Sequence, residues 1–206
     1  MAGRVAGLAA DDPAVTVPAL LRTHPAVAAV SLVGSRAEGR ALEISDWDFS
    51  VETDDFGAVA RDLPGLVAPL GPIAAQWDRY ASHRCFMLIL PGPRKVDLLF
   101  LDEPQEWSPP WEPAPETLPA IDDHFWDWAL WLEQKHARGD RGAVEHGLVD
   151  LHRLLLEPLG APAPGSLPEA VEVFVAARDR LERALGVTVS RGLEREVRPV
   201  LERGGA

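Results

Sequence analysis

A chain of 206 residues, 47% apolar and 25% charged, is long enough to bury a proper core as one generous domain or two small ones. Thirty-two acidic against twenty basic residues leave a net charge of −12, which argues against bulk binding to nucleic acid or to an anionic membrane, where a basic face supplies most of the affinity. The single cysteine, Cys85, excludes an internal disulfide framework, and no apolar run reaches the ~18 residues of a membrane span, so the expectation is a cytoplasmic protein with no membrane partner.

In chain order, residues 1–12 are small and weakly patterned. Residues 13–23 read as a short helix with Val17, Leu20 and Leu21 on one face, ending before His24-Pro25. Residues 26–33 are an apolar strand that runs into Gly34-Ser35, then a short polar helix or loop, then a second strand carrying Asp46 and Asp48. Alternation along a strand puts both carboxylates on one face, about 7 Å apart at their Cα atoms. Two such carboxylates beside a Gly-Ser turn suit Mg²⁺ and phosphate: a hard divalent ion takes oxygen ligands and shares them with substrate phosphates. Backbone N–H groups where a strand meets a helix can cradle the phosphates.

Thr53-Asp54-Asp55 is an N-cap cluster for a helix with Phe56, Val59, Ala60 and Leu63 on one face, expected to break at Pro64-Gly65. Residues 72–80 read as a strand. Residues 83–90 and 94–101 form a hairpin around Pro91-Gly92-Pro93. Asp97 lies among aliphatics of the second strand, where a carboxylate is costly to bury unless paired or ligating a metal. Lys95 shares its face and reads first as a surface lysine, with neutralising Asp97 or touching a phosphate as the alternatives.

Residues 102–119 hold six prolines and no apolar periodicity, an extended connector with Trp107 and Trp111 pinning it to the body. Beyond it the pattern turns helical. Phe125, Trp128, Ala129 and Leu132 form a stripe widened by Trp126 and Trp131, expected at a seam between domains, and Gly139 ends that helix. A helix over residues 141–157 stops at Pro158. Ser166 and Glu169 make a capping box for a third helix, and a fourth covers about residues 192–203. The expected class is therefore α+β: a mixed β-sheet with packed helices over residues 1–103, a Pro-rich connector over 104–119, and an all-α helical bundle over 120–206.

The run from Gly34-Ser35-Arg36-Ala37-Glu38-Gly39 to Ser45-Asp46-Trp47-Asp48-Phe49 resembles the signature of the polymerase-beta-type nucleotidyltransferase superfamily, whose members include antibiotic adenylyltransferases and small toxin–antitoxin proteins. The resemblance implies that Asp46, Asp48 and Asp97 are the three catalytic, metal-holding carboxylates, with Mg²⁺ or Mn²⁺ as the ion. It implies that Gly34, Ser35 and Arg36 contact the phosphates of ATP or another nucleoside triphosphate, and that Lys135 reaches the triphosphate from the helical domain. Glu145, His146 and Asp150 stand where antibiotic-modifying relatives can place a general base. Many relatives carry a basic residue at the position of Glu38. The implied reaction moves a nucleoside monophosphate, AMP from ATP, to a hydroxyl of a small molecule such as an aminoglycoside-like compound. An acidic chain suits a cationic acceptor. The alternatives are a protein or tRNA acceptor, and a catalytically silent nucleotide-binding member.

Overall fold

The computed structural model of the chain describes residues 12–204, so the reading of the first eleven residues lies outside them. Two units emerge, Met1–Trp107 and Ser108–Ala206. The first is a five-stranded mixed sheet with helices and the second is helical, the α+β class expected. Among the described residues, no helix is long and apolar enough to cross a membrane.

In the first unit, Asp12 caps α1 (Pro13–Leu21), its side chain accepting from Ala14 N at 2.9 Å. Then follow β1 (Val27–Val33), the four-residue α2 (Gly34–Ala37) and β2 (Trp47–Thr53). Helix α3 (Phe56–Val67) is capped by Asp55, as the acidic cluster predicted, but it does not break at Pro64-Gly65. A proline inside a helix removes one hydrogen bond. Val59, Leu63 and Val67, each 1% exposed or less, lie along one face, and their burial outweighs that loss.

Three strands complete the sheet: β3 (Ala74–Trp77), β4 (His83–Leu90) and β5 (Arg94–Pro104). Strand β3 is shorter than expected because the Asp78 side chain accepts from Tyr80 N at 2.7 Å and turns the chain. The sheet order is β1-β2-β5-β4-β3. Its neighbours are antiparallel except β2 and β5, which run parallel. One face is the core: Val30, Phe49, Val51, Phe86, Leu88, Leu90, Val96, Leu98 and Phe100 cluster with Val17, Leu21 and the buried side of α3. Period-two alternation therefore turns Asp48, Lys95 and Asp97 to the opposite face.

In the second unit, α4 (Leu118–Ala137) packs against α5 (Arg141–Leu151), α6 (Leu167–Leu185) and α7 (Gly192–Gly204). Helix α4 begins inside the stretch that read as connector. Pro119 occupies its first turn, where the missing N–H would be unsatisfied anyway, and Leu118 and Ile121 are fully buried. After α5, a π-helical turn over His152–Leu156 leads the chain out of the helix. The Leu154 carbonyl there accepts from Trp111 N at 3.0 Å, which ties residue 111 to this unit. Trp107 belongs to the first unit, where it packs edge-on to Tyr80 with centroids 6.0 Å apart.

The aromatic stripe of α4 belongs to the helical unit's own core. Phe125 stacks on Phe174 of α6 at 3.7 Å, and Trp126 meets the same ring at right angles. Phe125 and Trp126 are fully buried. Beside them Arg178, 1% exposed, donates to Asp122 at 2.9 Å, Glu194 at 2.8 Å and Asp179 at 3.0 Å. Arg191 extends the network to Glu182 at 2.7 Å, and those bonds hold the Glu182 carboxyl down at about 2.

Candidate functional site

Parallel pairing of β2 with β5 sets Asp48 directly opposite Asp97 in register. Side chains at matched positions of neighbouring strands leave on the same face, so the two carboxylates converge. Asp46 stands just before β2 and is 7% exposed. Oxygens of Asp46, Asp48 and Asp97 lie within 4.8 Å of one another. No other group of three His, Cys, Asp or Glu residues converges in this way among the described residues.

Three further residues make that convergence possible. Gly34 follows Val33, which pairs with Asp48 across β1 and β2. Its φ is +67°, and a Cβ there would overlap the Asp48 carboxylate. Arg36 holds the loop that carries Asp46: its Nε donates to the carbonyls of Ser45 and Asp46, both at 3.0 Å, and Nη2 donates to Ser45 O at 2.6 Å. The guanidinium also stacks over Trp47, 3.9 Å from the ring centroid. The Ser45 hydroxyl accepts from Leu42 N at 2.8 Å and tightens the same turn.

Arg36 was expected to offer charge to phosphates. In the structure its guanidinium donates to the backbone carbonyls of Glu43, Ser45 and Asp46 and lies on the Trp47 ring. Burial lowers its pKa from the usual guanidinium value, partly offset by Asp46. Lys95 departs from its first reading as a surface lysine and takes the alternative, pairing with Asp97. It is 7% exposed, and its Nζ donates to both Asp97 oxygens at 2.8 Å. The signal lay in the two-residue spacing, which put a cation beside the carboxylate on one face. Glu38 pairs with Arg40, so the acid beside the Gly-Ser turn is neutralised locally.

A lysine paired with Asp97 supplies charge that a metal would otherwise supply. Lys95→Met should therefore lower the melting temperature in EDTA, by an amount equivalent to about 1–3 kcal/mol. Mg²⁺ should raise the melting temperature of this variant more than that of the wild type, since it binds only the folded triad. Differential scanning fluorimetry with and without Mg²⁺ checks this. A variant whose stability ignores the ion would contradict it.

The remaining sequence candidates lie in the second unit. The Lys135 ammonium sits over the Trp131 ring at 5.0 Å, in the last turn of α4. Asp150 accepts from Arg153 at 2.9 Å, His146 Nδ1 lies 2.8 Å from Gly142 O, and Glu145 is exposed.

No family model and no curated protein sequence matches the chain. Among solved structures it is similar to an aminoglycoside 6-adenyltransferase from Bacillus subtilis, at 10% identity and a TM-score of 0.40, over 90% of this chain and 94% of that one.

Proposed function

We propose that the chain is a divalent-metal-dependent nucleotidyltransferase acting on a hydroxyl of a small, cationic acceptor. The observation that supports it is the convergence of Asp46, Asp48 and Asp97 beside the Gly34-Ser35 turn. The donor set fits Mg²⁺ or Mn²⁺: three carboxylates supplying oxygen ligands, with no sulfur or imidazole, and a lysine already paired with Asp97. When bound there, the ion offsets negative charge gathering on the phosphoryl oxygens and orients the triphosphate.

The chain's own residues do the rest. Gly34 lets the turn pass against Asp48, and the Ser35 hydroxyl and adjacent backbone meet the outer phosphates. Arg36 fixes Asp46 through the loop it clamps. The acceptor oxygen forms a bond to the α-phosphorus, the bond to the bridging oxygen breaks, pyrophosphate leaves, and Asp97 takes the hydroxyl proton.

Calorimetric titration with ATP, GTP, CTP and UTP, with and without Mg²⁺, is the direct test. Mg²⁺-dependent binding is expected, with ATP preferred, and it should vanish in an Asp46→Asn/Asp48→Asn double mutant that keeps its circular dichroism spectrum. Failure of all four nucleotides to bind the folded wild type would reject the transferase reading.

A further inference from the structure

The helical unit contains a cavity of about 740 Å³ bounded by α4, α5, α6 and α7, within the size range of small-molecule sites. Its walls are apolar where Leu132, Val144, Leu148, Val171 and Leu201 meet, and five glutamates line it against one arginine. Three of those glutamates have structural work. Glu172 and Glu202 pair with Arg198 at 2.5 and 3.6 Å, and Glu169 accepts from Gly165 N at 2.7 Å at the start of α6.

Glu133 is different. It is 4% exposed, lines the cavity, and has neither a hydrogen bond nor an ion pair among the described residues. Burial raises its carboxyl above the usual range, with His136 opposing that shift. The backbone of Gly204 passes so close that any side chain there would overlap the Glu133 carboxylate, so α7 confines it. A buried carboxylate without a partner is costly, and an ammonium brought by a ligand would offset that cost. Glu145, one turn from Leu148 on α5, adds a second acid at the same cavity.

A metal ion does not fit this arrangement. The glutamates form no convergent group of three among the described residues, and an apolar wall gives a hydrated cation nothing to hold. What fits is a cation with an apolar body. We propose that this cavity binds an organic amine, its ammonium on Glu133 and its apolar portion against Leu132, Val144 and Leu148. The site is built wholly from the helical unit, so the proposal holds whether or not the aspartate triad takes a nucleotide.

The full chain would be titrated with tryptamine, phenethylamine and n-octylamine, each beside its alcohol isostere, by calorimetry and by ¹³C-methyl NMR of leucine and valine. The amines should bind with dissociation constants below about 1 mM and at least about tenfold tighter than the alcohols. The shifted methyls should be those of Leu132, Val144 and Leu148. Glu133→Gln should erase the preference for amine over alcohol without unfolding the chain, since no described residue pairs with its carboxylate. Val144→Phe should block amine and alcohol alike by filling the cavity. Binding should persist in the Asp46→Asn/Asp48→Asn protein. Absence of saturable binding by all three amines, equal affinity for amine and alcohol, or an unchanged preference in Glu133→Gln would each overturn the proposal.

Discussion

Gly34→Ala is expected to disable the triad while leaving every carboxylate in the chain. At φ +67° an L-residue costs about 1–2 kcal/mol, and the added Cβ lands on the Asp48 carboxylate. Asp48 must then turn away from Asp46 and Asp97. A misplacement on the order of 1 Å at a reacting centre costs about 10²-fold in rate. Nucleotide-dependent pyrophosphate release should fall by about that factor, and Mg²⁺-dependent nucleotide binding should weaken with it. Gly39→Ala is the control. Its φ is +70°, yet nothing lies within 4 Å of a Cβ there. It should lose comparable stability through backbone strain and keep its nucleotide binding. Equal loss of binding in the two variants would assign the effect to strain and remove the close approach to Asp48 from the argument.

Arg178→Met should produce the largest loss of stability. The guanidinium is 1% exposed and answers Asp122, Asp179 and Glu194, and Asp122 is equally buried. Burial pushes the Asp122 carboxyl up to about 6 even with Arg178 hydrogen-bonded to it. Removing the cation leaves that carboxyl buried without its partner, which costs about 3–5 kcal/mol. An Arg178→Met/Asp122→Leu double mutant should recover most of this, because exchanging a whole buried pair for apolar side chains is close to neutral. Guanidinium unfolding followed by tryptophan fluorescence measures both. A loss below about 1 kcal/mol for the single variant would show that the network is not what holds α4, α6 and α7 together.

The two predictions draw on different parts of what was readable. Gly34, Asp46, Asp48 and Asp97 could be picked out in the chain from turn chemistry, the spacing of the acids and the resemblance their motif carries, although Asp46 stands just ahead of β2 rather than in it. Arg178 could not. It reads as one of several basic residues on an amphipathic helix, and only the approach of α4 and α7 adds Asp122 and Glu194 to its neighbour Asp179. Pro64 misled for the same reason. Its local effect is to break a helix, and the buried face of α3 overrides it. Pro119 misled in the opposite direction, by marking a connector where it starts a helix.

By itself, the sequence determined the α+β class, the strand pairs flanking the Gly-Ser turn, the Asp55 and Ser166 caps, and the three acids proposed for the metal. These follow from periodicity, capping and the cost of placing a carboxylate among aliphatics, all of which act over a few residues. Only the tertiary structure decided the parallel register that sets Asp48 against Asp97, the burial of Lys95 beside Asp97, and the hold of Arg36 on the Asp46 loop. It alone enclosed Glu133 in a cavity. Those facts depend on which distant segments meet, and hydrogen bonding and burial across such contacts leave no periodic trace along the chain.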